Sequence, residues 1–261
     1  MGAIGNGQEM PLPLSVQRRR NLPAGAALSW LGEGWRDLWR QPAPSLLYGL
    51  AVFAVSAAIV WGLFRLGLDY ILFPALAGFM VMGPLLAIGL YQKSRAIELG
   101  ESVSLSRMIF VEAASGGQVW YTGAILSLLM LVWMRAAVII YALFFGLRPF
   151  PGLHEVTAML FGTPVGWAML LVGTVVGGLF AAFSFAISAF AIPMLLDERV
   201  DAFTAMGTSI SMVWNNLPVM LAWGAIVLVL FLVAVATGLL GLIVLFPLLG
   251  HATWHSYRAL R

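Results

Sequence analysis

Two stretches of this chain set their apolar residues at one helical spacing. Leu28, Leu31, Trp35, Leu38 and Trp39 recur at a constant offset as Phe203, Met206, Ile210, Val213 and Trp214. Positions i, i+3, i+7, i+10 and i+11 share one face of an α-helix, so each stretch predicts an amphipathic helix. Each then meets a proline, Pro42 or Pro218, and runs into sequence apolar enough for lipid. The far ends correspond as well. Ala77–Leu86 parallels Leu240–Leu249 with Pro84 opposite Pro247, and Arg95-Ala96 lines up with Arg258-Ala259. A duplicated unit, one interfacial helix followed by two spans, is therefore expected to organise the molecule.

A helix crosses ~30 Å of hydrocarbon with about 20 residues. Six stretches meet that length: Leu46–Phe64, Ile71–Tyr91, Val119–Phe145, Trp167–Leu196, Pro218–Thr237 and Gly238–Trp254. The fourth is too long for the core and must tilt, kink at Pro193 or project. The fifth and sixth abut without a polar loop, which demands a tight turn near Thr237-Gly238; a single bent span over 218–254 is the alternative. Leu105, Met108 and Ile109 mark a third candidate surface helix within Glu101–Ala114. The expected fold is all-α: a polytopic transmembrane helical bundle of about six spans, with amphipathic interfacial helices and an internal duplication. The expected organisation is a disordered tail over 1–27 and one membrane domain over 28–261. Its repeat units fall at about 28–99, 100–196 and 197–261, related as parallel repeats by an axis along the membrane normal.

Composition narrows the class. With 61% hydrophobic and 10% charged residues and a mean hydropathy of +0.95, too little polar surface exists to cover a water-soluble globule. The net charge of +3 does not point to nucleic acid, because the basic residues sit at span ends. Placed N-inside, the inner segments carry Arg18, Arg19, Arg20, Arg36, Arg40, Lys93, Arg95, Arg107, Arg199, Arg258 and Arg261, and the outer ones Arg65 and Arg148. That bias predicts both termini in the cytoplasm and a bacterial inner-membrane location. The absence of cysteine excludes disulfides and thiolate metal sites. Arg18-Arg19-Arg20 does not open a secretory signal, since Glu33 and Asp37 interrupt the stretch where an apolar region would have to stand.

Gly34-Trp35-Arg36-Asp37-Leu38, the run ending Pro84-Leu85-Leu86, Pro193–Asp197 with Val200-Asp201-Ala202, and Pro247–His255 resemble a bacterial family. It is the family described as domain of unknown function 2189, predicted integral membrane proteins. The resemblance runs from Leu28 to Arg261, with Gly250–His255 its most specific block. It implies a multi-span inner-membrane protein and brings no activity, substrate or site residue.

Candidate chemistry must come from the residues. Arg135 is the ionisable residue deepest within a span, where charge is costly and a functional role is the default. A snorkelling arginine or a structural pair, with Asp69 or Glu155, competes with an anion or lipid-headgroup contact. His251 and His255 stand four apart on one helix face, a spacing that suits metal chelation. No glutamate lies between them, His154 is expected on the opposite side, and Trp254 and Tyr257 argue for an interfacial anchor. Asp197-Glu198-Arg199-Val200-Asp201 would suit a cation or acid–base chemistry, or simply a solvated helix end with Asp201 capping the next helix. Gly162, Gly166, Gly173, Gly177 and Ala181, with Ser184 and Ser188, form a small-residue row that predicts the fourth span as the central packing helix.

No Walker loop, H-E-x-x-H or G-x-S-x-G elbow is present. The expectation is a non-enzyme without catalytic residues, cofactor or metal. Its partners are the lipid bilayer, other membrane proteins or a second copy, and no nucleic acid. The first functional reading is an inner-membrane scaffold or assembly factor; the alternative is a transporter or channel for a small or lipidic solute. A transporter should contain a polar cavity at the repeat interface, whereas a scaffold should be packed solid there.

Overall fold

The computed structural model describes residues 21–146 and 151–261. The expected tail up to Arg20, with Arg18, Arg19 and Arg20, lies outside the described residues, as do Arg148 and the His154 side chain. The described chain is helical throughout: α1 (Ala26–Trp39), α2 (Pro42–Arg65), α3 (Leu72–Leu86), α4 (Ile88–Leu99), α5 (Leu105–Ile109), α6 (Gly116–Phe145), α7 (Leu153–Gly162), α8 (Pro164–Ser188), α9 (Ala191–Asp197), α10 (Ala202–Trp214), α11 (Leu217–Ala236) and α12 (Leu242–Leu260). Residues 21–27, expected within the tail, are held against the rest of the chain. The Asn21 amide donates to the Asn215 carbonyl at 3.2 Å, that of Leu22 to Asn216 Oδ1 at 3.2 Å, and Ala27 is fully buried.

Five segments of the described chain are long and apolar enough to cross a membrane: Pro42–Arg65, Asp69–Leu99, Gly116–Phe145, Pro164–Asp197 and Leu217–Ala236. The stretch expected as a sixth span is two things. Residues 237–241 make a tight turn, with Gly238 and Leu239 both at positive φ, so 218–254 is not one bent helix. The remainder is the first part of α12, whose second half turns polar through His251, Thr253, His255, Ser256 and Arg258.

The long second and fourth segments are each broken. α3 gives way to α4 at Ala87, three residues past Pro84. α8 gives way to α9 at Ala189-Phe190, just before Pro193. Proline lacks an amide hydrogen and its ring crowds the carbonyl four residues back, for Pro193 that of Ala189, so the α8–α9 break falls N-terminal to Pro193.

The paired helices α1 and α10 expose corresponding faces. Ala27, Trp30, Gly34, Asp37 and Leu38 are buried in α1; Ala202, Ala205, Ser209, Met212 and Val213, each at the same offset, are buried in α10. Leu28, Trp35 and Trp39 are exposed, and so are Phe203, Ile210 and Trp214. The apolar faces read from sequence therefore point largely away from the bundle. α1 lies against α12, α5 against α4, and α10 against α8 and α9. α5 is five residues long, much shorter than Glu101–Ala114 suggested. We call the end of the bundle that carries these helices the proximal end.

The central position expected for the fourth span is corrected. Its apolar window is 11% buried, against 28% for α11, and α12 buries residues from Leu242 to Leu260 on several sides. A Cβ at Gly173 would meet open space, and one at Gly177 a single ring edge of Trp133. Within the small-residue row only Gly166 is tight against backbone, that of α7; between spans, a Cβ at Gly49 would stand 2.3 Å from the Ile243 carbonyl oxygen of α12. Small residues permit close approach without compelling it, and here α2 and α12 make the approach.

Candidate functional site

The polar residues of the proximal end converge where α1, α2, α4 and α12 meet. α1 stops at Arg40, and Gln41 takes a left-handed conformation (φ 73°, ψ 76°) before Pro42 starts α2. A non-glycine residue is strained there by roughly 1–2 kcal/mol. Lys93 of α4 holds the corner: its Nζ donates to the Gln41 carbonyl at 2.8 Å and to Ser45 Oγ at 2.7 Å. Because Ser45 accepts from lysine, its own proton is free for His251 Nε2, 2.9 Å away. His251 Nδ1 then donates to Ser94 Oγ at 2.8 Å, and Ser94 stands near enough to Asp37 to favour its ionised form. His255 Nε2 reaches Asp37 Oδ2 at 2.8 Å, and its Nδ1 lies 3.4 Å from Glu33 Oε2.

The result is one polar chain, Lys93–Ser45–His251–Ser94–Asp37–His255–Glu33, hydrogen-bonded from Lys93 to Ser94 and from Asp37 to His255. The tautomer of His251 follows from the network. Ser45, Lys93, Ser94 and His251 are at most 1% exposed, while the chain surfaces at Glu33. A buried polar network with every member satisfied fixes helices in one arrangement; a half-satisfied one is worse than an apolar core. Burial pushes the Asp37 carboxyl up, but the hydrogen bond from His255 and the neighbouring Ser94 hydroxyl outweigh it. Its pKa ends below the ordinary value of 3.8. The contribution of ionised Asp37 is therefore fully present above the unfolded carboxylate range and lost as pH falls through a folded value below 3.8.

His251 and His255 thus share a face, as their spacing required, but serve different partners. His251 stands between two serines and His255 between two carboxylates. Among the described residues no group of three or more His, Asp or Glu has the arrangement of a metal site.

Asp197 and Asp201 are not brought together with the histidines' chain. Asp197 is spoken for by Arg95 at 3.4 Å, Arg258 at 3.6 Å and Arg261. Its neighbour Glu198 accepts from the Tyr257 hydroxyl at 2.7 Å. Together these pin the chain's last turn to α9. Asp201 caps α10 by accepting from the Thr204 amide at 3.0 Å, and hydrogen bonds from Thr204 hold its carboxyl below the usual range. Arg135 lies on an exposed face of α6, and no hydrogen bond or ion pair to it is found among the described residues.

The sequence reading missed Lys93, Ser45, Ser94, Asp37 and Glu33 as members of a site. One signal was available. Lys93 is the chain's one lysine, every other basic residue being arginine.

Two cavities are stacked along α3 and α8. The proximal one, about 190 Å³, lies among Phe79, Pro84, Ser188, Trp223, Phe231 and Phe246. The distal one, about 430 Å³, is bounded by Tyr70, Phe73, Trp133, Tyr141, Leu160 and Met169. Both walls are overwhelmingly apolar. Gly250 and Thr253 of α12 line the proximal cavity, while His251 and His255 on the same helix face the polar chain.

No match was found among curated proteins or solved structures. A family model does match, from α3 through α9, and leaves the Gly34–Leu38 and Gly250–His255 blocks outside the matched stretch. Residues 72–197, from the second candidate span to the end of the fourth, match the family described as "Predicted integral membrane protein (DUF2189)".

Proposed function

We propose that this chain is a membrane-embedded binder and carrier of a lipidic solute, acting by binding rather than by catalysis. The observation that supports it is the pair of apolar cavities stacked along α3 and α8. A passive scaffold has no reason to leave its helix junctions open, since an unfilled apolar void forfeits dispersion contacts. A carrier of polar solutes would line them with polar groups. Even the smaller cavity exceeds the ~150 Å³ at which an apolar void stays dry and accepts an apolar guest. In this reading α1 and α10 lie along the inner face of the membrane on their exposed Leu28, Trp35, Trp39, Phe203, Ile210 and Trp214. The unit they open is duplicated, as their matched buried and exposed faces suggest. Both termini face the cytoplasm on the basic-residue bias. A reporter fused at residue 155 should then read the opposite side from one at the C-terminus; agreement between the two would defeat this orientation.

The experiment is purification into native-lipid particles followed by mass spectrometry of what co-purifies. One lipid class should be enriched over the bulk membrane, and Gly83→Leu should abolish the enrichment. Gly83 lines the proximal cavity, and an added side chain there meets open space. Leucine also favours helix over glycine by up to about 1 kcal/mol, so a folding defect is not expected. A lipid profile identical to the bulk membrane would refute the reading.

A further inference from the structure

The two corresponding helices bury matching positions, yet their seams differ in charge. α10 docks on α8 and α9 through an apolar seam made by Ala205, Met206, Met212 and Val213. Its Ser209 is tied into the neighbouring backbone, donating to the Ala186 carbonyl at 2.7 Å and accepting from the Phe190 amide at 3.1 Å. α1 packs on the bundle through Ala27, Trp30, Gly34 and Leu38 as well, but its seam on α12 also carries Asp37 and Glu33, which clasp His255, with Asp37 standing where α10 has Met212. Interfaces that come apart reversibly are more polar than permanent ones.

We infer that α1 is a detachable strap over the proximal end of the bundle, hinged at Gln41 and released and re-formed without unfolding of the rest. Three further features carry this. When α1 lifts, Asp37 and Glu33 leave with it, and water reaches Ser94, His255 and His251. The groups are rehydrated rather than stranded, which removes most of the penalty attached to breaking a buried polar network. The hinge residue is strained in the closed state and held by Lys93, so release relaxes Gln41; strain of this kind favours two discrete states. The face that remains outward, Leu28, Trp35 and Trp39, keeps the lifted helix on the lipid surface. Lifting also removes Trp30 from Trp223, whose rings now pack edge to face at 6.0 Å. Trp223 is a wall of the proximal cavity, so the strap braces that wall whatever the cavity holds.

The test is hydrogen exchange by mass spectrometry on the full chain in lipid nanodiscs, comparing residues 30–38 with 205–213. The two segments occupy corresponding positions in their helices, so fraying affects both alike. The α1 segment should exchange at least about ten-fold faster through sub-global opening; equal or slower exchange would overturn the inference. The paired substitution Asp37→Met with His255→Leu converts the seam to the chemistry of α10 and should slow exchange of 30–38 toward that of 205–213. An unchanged or faster rate in that variant, with the 205–213 rate intact, would also overturn it.

Discussion

Gly49→Leu is expected to abolish most of the folded protein, whereas Gly173→Leu should be accepted. The backbone of α2 passes so close to α12 that even the first added carbon at position 49 stands 2.3 Å from the Ile243 carbonyl and 2.9 Å from the Pro247 ring. A carbonyl oxygen has no rotamer to yield, so the helices must separate. That loses packing along the α2–α12 contact, one of the most extensive in the molecule. Overpacking of a tight site costs typically 1–3 kcal/mol and more when backbone must move, in a protein whose stability is of order 5–15 kcal/mol. At Gly173 a side chain meets open space, and such changes fall within about ±0.5 kcal/mol. Fluorescence-detected size exclusion with a thermal melt in detergent separates the two. Equal losses at both positions would show that the α2–α12 approach is not as described.

Asp37→Ala is expected to cost about 3–5 kcal/mol, the range for removing one partner from a buried charged cluster. It strips His255 of its closest carboxylate contact and takes the neighbouring carboxylate from Ser94, which leaves the His251–Ser45–Lys93 end without its terminal charge. Lys93→Met removes the opposite end, along with the two bonds that hold Gln41 and Ser45. Because both residues belong to one polar cluster and Asp37 acts electrostatically on Lys93, the double variant should lose clearly less than the two single losses added together. The measurement is a double-mutant cycle on melting midpoints. Strict additivity would show that the two ends act independently.

Much of the architecture was legible because the bilayer is a severe solvent. Runs such as Val119–Phe145 read directly as spans, since an apolar stretch of that length has no other stable destination. The helices at Leu28–Arg40 and Phe203–Asn215 were legible from period alone, and α1 and α10 follow them to within a few residues. A kink at Pro193 was one of three ways the over-long fourth stretch could fit, and the chain breaks there. The DUF2189 match over residues 72–197 agrees with the kind of protein the residues resembled.

Period says which residues share a face but not what that face meets. In α1 Leu28, Trp35 and Trp39 of the apolar face turn outward, and Asp37 and Gly34 are buried instead. The glycine row of α8 showed where a close approach is permitted, yet the partner was chosen at Gly49 by the tertiary arrangement. The polar chain was the least legible feature. Its members Glu33, Asp37, Ser45, Lys93, Ser94, His251 and His255 come from four helices, and no local spacing links them. The sequence by itself determined that this is a helical membrane protein and where its helices begin, because lipid solvation and helix periodicity are local. Only the tertiary structure decided which charges are buried together and where the cavities open, because those depend on packing between segments distant along the chain.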